Sequence, residues 1–229
     1  MPFYGTTRKF MTKLAIFDLD GTLIDTLEDI ACACNHALEA GGFPPRRLDE
    51  YNMLVGRGVL NLCRYALPEG KRDEETVRAT YERFVAYYDR HLCDRSKPYP
   101  GICSMLDRLT EKGISLAVAS NKYQRGTEFL ISRLFGRYSF VSVLGQREGR
   151  PIKPDPEIVN EAMAAMKGVS VDEVVYCGDS DVDMQTGRNA GVRTVGVTWG
   201  FRSREELAAY DPWLIADNAE ELCNAILNN

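Results

Sequence analysis

The chain has little of what several function classes require. No uninterrupted apolar stretch approaches the ~20 residues of a membrane-spanning helix. Met1 to Phe10 are polar and aromatic with no apolar run, so they read as a loosely held leader and not as a signal peptide. An excess of positive charge is missing too. Lys and Arg total 28 against 33 Asp and Glu, a net charge of −5 that argues against nucleic acid as the main partner. The seven cysteines are odd in number, lack C-x-x-C spacing and have no histidine partners at zinc-ligand spacing. They are expected to be reduced, mostly buried thiols of a cytoplasmic protein. Histidine is scarce, and His36 and His91 both fall in helical stretches, where packing or surface roles are the norm. Neither internal repeats nor low-complexity segments are present.

What remains is a globular sequence long enough for one large domain or two small ones. Leu14 to Phe17 read as a short, fully buried strand. Leu27, Ile30, Ala31, Cys34, Ala37 and Leu38 then recur at helical spacing, and Gly41-Gly42 with Pro44-Pro45 ends that helix. Further helices are expected over Val59–Leu67 and about Asp73–Leu92, with no convincing strand before Cys93. From Pro98 onward strands and helices alternate. Strands are expected at 114–119, 140–144, 174–177, 192–197 and near 214–215, with helices between them and at 219–227. That alternation means βαβ units and a parallel sheet, an α/β fold, with a helical module inserted after the first strand. The expected division is a leader at 1–10, a core of 11–26 and 96–229, and a helical domain at 27–95.

Chemistry-bearing residues collect at the strand ends. Asp18 closes the first strand, and Asp20, Gly21 and Thr22 follow it directly. Ligands bind beyond the carboxyl ends of strands in open parallel sheets, so a paired-carboxylate loop there is placed to act. Ser120 and Asn121 follow the second core strand, offering a hydroxyl, an amide and backbone N–H groups suited to phosphate oxygens. Lys153-Pro154-Asp155-Pro156 holds a lysine in a backbone stiffened by two prolines, able to meet developing negative charge. Gly178-Asp179-Ser180-Asp181-Val182-Asp183 adds more carboxylates. An EF-hand reading fails there, because Met184 and Ala190 stand where glycine and glutamate are required. Crowded carboxylates repel, and a hard cation such as Mg²⁺ would neutralise them.

Together, D-x-D-G-T at 18–22, Ser120, the K-P-D-P run and the G-D-x-x-x-D run resemble, in order, the four motifs of haloacid dehalogenase superfamily phosphatases. The resemblance implies a Rossmann-like doubly wound core with an inserted helical cap. It implies Asp18 as nucleophile, Asp20 as acid and base, and Ser120 and Lys153 as partners of the transferred phosphoryl group. It further implies Mg²⁺ held by Asp18, Asp179 and the Asp20 main-chain carbonyl, with Asp183 in the outer shell or reached through water. Asp20 is expected to start protonated. Val55-Gly56-Arg57-Gly58-Val59 and the helix after it resemble a cap segment of phosphoglycolate phosphatases, where Arg57 would meet a substrate carboxylate. Gly21, Thr22 and Asn121 complete the expected phosphate-binding set. Trp199 is either a relative of that family's W-G-F segment or a core anchor. Arg147 and Arg150 make an unusually basic loop that could touch a substrate or a partner.

The expected function is thus Mg²⁺-dependent hydrolysis of a small phosphorylated metabolite, with no nucleic-acid or membrane partner, by a monomer or homodimer. An inorganic pyrophosphatase or a β-phosphoglucomutase-type phosphotransferase of the same fold is the alternative. A signalling receiver domain is more remote, since its acceptor Asp usually ends the third strand. A silent binding module would have lost a motif residue, and none is lost. Dehalogenation is disfavoured because the relatives that perform it lack the second Asp.

Overall fold

The computed structural model describes residues 11–228; the expected leader, 1–10, lies outside them. Six parallel strands form one sheet in the order β5-β4-β1-β6-β7-β8. They are β1 (Leu14–Phe17), β4 (Ser115–Tyr123), β5 (Phe140–Gln146), β6 (Val174–Gly178), β7 (Arg193–Val197) and β8 (Leu214–Ala216). The chain runs outward from β1 to β4 and β5, then returns to the other side of β1 for β6, β7 and β8. β1 therefore sits at the switch point of the sheet, where a doubly wound fold leaves its ligand crevice.

Side-chain alternation sorts the sheet's two faces. Ala15 and Phe17 of β1 join one apolar cluster, which also takes in Leu106 and Leu130. Those two come from helices α5 (Ile102–Glu111) and α6 (Gln124–Phe135). Leu14 and Ile16 join the other cluster, against Ile158, Val159 and Ala162 of α7 (Glu157–Ala164). α8 (Asp181–Ala190), α9 (Arg204–Ala208) and α10 (Ala219–Leu227) complete the helices around the sheet.

The long excursion after β1 is helical: α1 (Leu27–Ala40), α2 (Tyr51–Leu54), α3 (Val59–Ala66) and α4 (Glu74–Tyr88). α1 packs on α4, and α3 packs on α4 as well. Their apolar faces are continuous with the first core cluster, through Ile30, Leu62, Phe84 and Tyr88. A feature not foreseen in the sequence frames this excursion. β2 (Ile24–Asp25) and β3 (Lys97–Pro98) pair antiparallel, so the two connections to the helical segment run side by side. Asp29 of α1 fastens them. Its buried carboxylate accepts hydrogen bonds from the Arg95 N–H, the Ser96 N–H at 2.8 Å and the Ser96 hydroxyl at 2.6 Å.

Two other expectations change. The strand expected at 114–119 continues to Tyr123, paired to β5 at a shifted register, so Ser120, Asn121 and Lys122 lie in extended strand, directly before α6 at Gln124. The basic loop is fastened within the chain. Arg147 and Arg150 both pair with Glu161, at 2.5 and 3.1 Å, and Arg150 also pairs with Glu157 at 2.8 Å, which fastens the loop to α7. All seven cysteines are free, four of them buried. Among the described residues no helix is long and apolar enough to cross a membrane.

Candidate active site

Parallel pairing sets Phe17 beside Cys177 on one side and Val118 on the other, so β1 and β6 end together while β4 runs on beside them to Tyr123. The residues just past those ends converge. Carboxylate oxygens of Asp18, Asp179 and Asp183 all lie within 4.8 Å of one another, and all three residues are buried. Lys153 reaches in from the loop before α7. Its ammonium is 3.0 Å from Asp18 and 2.7 Å from Asp183, with the Tyr176 hydroxyl at 3.0 Å. One lysine faces three carboxylates.

The electrostatics follow from that imbalance. Burial pushes the Asp18 carboxyl up to about 7, Lys153 pulling it down and Asp183 and Asp20 pushing it further up. Burial, then repulsion from Asp183 and Asp18, carries Asp179 well above the usual carboxylate range. Asp183 goes the other way. Burial opposes its charge, but Lys153 and its hydrogen-bond donors outweigh that and hold it below the usual range. Those donors are Lys153 Nζ, the Tyr176 hydroxyl at 2.7 Å, the Ser180 N–H at 3.1 Å and the Ser180 hydroxyl at 2.5 Å. For Lys153, burial works against the ammonium, yet its two carboxylate partners raise it above the ordinary lysine value.

Asp179 is held by the Thr22 hydroxyl and the Phe201 N–H, each at 2.8 Å. Thr22 is fully buried, so its hydroxyl is committed to Asp179 and not to a phosphate. Gly21 packs so tightly here that a Cβ would sit 2.3 Å from an Asp179 oxygen, and its φ is +84°. Gly21 is thus required by the turn and by Asp179. A Cβ on Gly200 would likewise fall 2.3 Å from the Asp179 Cβ. Trp199 serves as an anchor, its indole N–H donating to the Thr22 carbonyl at 3.0 Å.

This chemistry fits a divalent cation. Three buried carboxylates against one ammonium leave negative charge uncompensated, and an all-oxygen set suits a hard ion. Asp183, whose oxygens already accept four hydrogen bonds, has the least capacity left for direct ligation.

Beyond the carboxylates opens a cavity lined by Asp18, Asp20, Ser120, Asn121 and Lys122, and by apolar residues of α1, α3 and α4. The Ser120 hydroxyl accepts from the Lys122 N–H at 3.3 Å. Asn121 is a clamp. Its Nδ2 donates to the Gly56 and Lys153 carbonyls, at 3.0 and 3.2 Å, and its Oδ1 accepts from the Lys153 N–H at 2.9 Å. Its amide is spent on backbone, tying the Gly56 loop to the Lys153 loop.

Two of the expected site residues make contacts within the chain. Asp20 is partnered by Lys122 Nζ at 3.0 Å and by the Thr26 hydroxyl at 2.7 Å. Arg57 does not face the cavity. Its guanidinium lies 2.6 Å from Asp181 at the start of α8, with half its side chain exposed. Three contributors escaped sequence reading. Lys122 carries no signal of its own beside Ser120 and Asn121, and Tyr176 reads as one more residue of a buried strand. Arg202, buried, donates to the Asn52 and Val55 carbonyls and carried no motif signal at all.

Comparison with known proteins gives a consistent picture. A model of the haloacid dehalogenase-like hydrolase family matches residues 15–197. The phosphoglycolate phosphatase of Agrobacterium fabrum is 33% identical over 222 residues, covering 96% of this chain and 94% of that protein. Phosphoglycolate phosphatase 1 of Pseudomonas aeruginosa is 32% identical over 227 residues, covering 96% and 81%. The crystal structure of a candidate phosphoglycolate phosphatase from Lactobacillus delbrueckii subsp. bulgaricus superposes with a TM-score of 0.90 at 33% identity, covering 96% of this chain and all of that one.

Proposed function

The chain belongs to the haloacid dehalogenase-like hydrolases and is a phosphatase among them, and from that premise we propose Mg²⁺-dependent hydrolysis of a small phosphomonoester of the phosphoglycolate type, through an aspartyl-phosphate on Asp18. The observation that carries this reading is the convergence of Asp18, Asp179, Asp183 and Lys153 within one buried cluster, next to a cavity that holds Asp20.

Asp18 attacks phosphorus and expels the alcohol, splitting a difficult displacement into two easier ones. Asp20, two residues on, gives a proton to the leaving oxygen and later takes one from the water that frees phosphate. Lys153 spreads its charge over the transferred oxygens, its ammonium aimed by Tyr176 and Asp183. Ser120, 2% exposed, adds a hydroxyl at the same edge. Mg²⁺ bound by Asp18, Asp179 and the Asp20 carbonyl, with Asp183 behind them, would neutralise the cluster and polarise the phosphoryl oxygens. Gly56 and the apolar residues of the helical segment, taken as a cap over 27–95, keep bulk water from the cavity.

The test is phosphate release from a panel of phosphomonoesters and pyrophosphate, with Mg²⁺ and with EDTA, for the wild type and Asp18→Asn. Release that needs Mg²⁺, favours 2-phosphoglycolate and disappears in Asp18→Asn is expected. Release that survives the substitution refutes the mechanism. Preference for pyrophosphate, or inactivity toward aryl phosphates with mutase turnover of sugar phosphates, replaces the substrate assignment.

A further inference from the structure

We propose that Lys122 is the specificity-determining residue of this site, binding an anionic substituent, a carboxylate in the first instance, on the alcohol part of the substrate. The inference rests on the phosphatase reading above and adds the residue that selects the leaving group.

Three observations converge on Lys122. The leaving-group side of the cavity is walled by Ile30, Val55, Val59, Leu62, Phe84 and Tyr88, which offer an anion nothing but apolar surface and one phenol. Among the described residues that line it, Lys122 is the single cation. The arginine that the sequence offered for this task, Arg57, is turned away and paired with Asp181.

Geometry then gives the lysine its reach. The Lys122 ammonium, on a side chain only 2% exposed, stands between the Asp20 carboxylate, at 3.0 and 3.2 Å, and the Tyr88 hydroxyl, at 2.8 Å. It also lies 4.7 Å from the centre of the Tyr88 ring. An ammonium carries three donors, and the two Asp20 oxygens and the Tyr88 hydroxyl take them here, so an incoming carboxylate exchanges with one of the two Asp20 oxygens.

The position is also right for discrimination. Asp20 lies two residues beyond the proposed nucleophile, and an ammonium bonded to it is within one short side chain of the oxygen that departs. Lys153 serves the opposite side, pinned between Asp18 and Asp183. The site thus holds two buried lysines with separate duties, one for the phosphoryl oxygens and one for the alcohol. A charged acceptor placed in an apolar pocket forms a strong, charge-assisted bond, while an uncharged acceptor such as an amide carbonyl forms a weaker one. Differences of that kind amount to about tenfold to hundredfold in kcat/KM.

The experiment compares two esters of nearly equal shape, 2-phosphoglycolate and the phosphate ester of glycolamide, in the wild type, Lys122→Met and Lys122→Arg. The expected result is a wild-type preference for the carboxylate that falls by about thirtyfold or more in Lys122→Met and is partly restored in Lys122→Arg. Glycolate and glycolamide are also tested as inhibitors of p-nitrophenyl phosphate turnover by the wild type, where glycolate is expected to compete about tenfold better. This second measurement stands even if Lys122→Met fails to fold. A preference that survives Lys122→Met in folded protein overturns the assignment. So does a wild type that treats the two esters alike and ignores the charge of the inhibitor, and in that case the phosphatase reading is untouched. A wild type that hydrolyses no phosphomonoester overturns that reading and this inference with it.

Discussion

Replacing Asp179 with asparagine should make the metal-free protein more stable while abolishing turnover. Asp179 is 1% exposed and its carboxylate oxygens lie within 4.8 Å of those of Asp18 and Asp183. At that distance and an effective dielectric of about 20, each like-charge pair costs about 3 kcal/mol. Lys153 offsets part of this, and proton uptake by Asp179 limits the rest. The net strain released by Asn is then about 1–3 kcal/mol. Asparagine also fits the contacts, its carbonyl accepting from the Phe201 N–H and its amide donating to the Thr22 hydroxyl oxygen. For a chain of this length, each kcal/mol moves Tm by about 2–4 °C. Thermal melts in EDTA should therefore place Asp179→Asn about 3–10 °C above wild type. The sign with pH is fixed too. Asp179 has a raised folded-state pKa, so the native state holds a proton that the unfolded chain gives up above the ordinary carboxylate range. Stability from this group falls as pH rises from that range toward the folded value, and the gap between variant and wild type should widen over the same interval. Added Mg²⁺ should reverse the order, stabilising wild type by about 2.7 kcal/mol at a hundred times Kd and the variant much less. A folded Asp179→Asn that melts at or below wild type in EDTA would refute the reasoning.

Other perturbations reach other parts of the molecule. Gly200→Ala should lower kcat/KM at least tenfold, measured with p-nitrophenyl phosphate, because the new methyl falls on Asp179 and the Gly21 carbonyl. Asp29→Ala strands the buried donors of Ser96 and frees the Arg95 N–H and should cost about 2–4 kcal/mol in urea unfolding. Arg57→Ala removes a half-exposed ion pair with Asp181. Its kcat/KM for 2-phosphoglycolate should stay within about threefold of wild type, a result that a substrate-binding Arg57 would not give.

The site's main components were legible because they are local. Asp18, Asp20, Lys153, Asp179 and Asp183 each stand in a short run whose glycines, prolines and flanking apolar strand betray its geometry. The sheet was legible for a related reason, since fully buried parallel strands appear as apolar runs between helical periods. What stayed hidden depends on contacts between distant segments. Ser120-Asn121-Lys122 has the composition of a helix start, and only pairing of β4 with β5 carries the strand on to Tyr123. Tyr176 reads as a strand aromatic until Lys153 and Asp183 arrive at its hydroxyl from elsewhere in the chain. β2 and β3 are two residues each, and Pro98 lies in one of them, which is too little for a period to emerge. Arg57 misled for the opposite reason. A cationic residue in a glycine-flanked loop looks available, and its partner Asp181 is 124 positions away.

The β2–β3 ribbon bears on how such a chain can be built and rebuilt. Because the outgoing and returning segments are hydrogen-bonded neighbours, the ends of the helical excursion stand about 5 Å apart. Seen from the sheet, the whole excursion occupies the position of one tight turn. Its length and content can change without altering the order or spacing of the parallel strands, so the excursion is modular in connectivity. It is not modular in surface, since Ile30, Leu62, Phe84 and Tyr88 belong to the same apolar cluster as Phe17 and Leu106. A graft of a different helical segment onto this ribbon would have to match that apolar face, and a chain closed by a simple hairpin there would need new polar residues where the helices now rest.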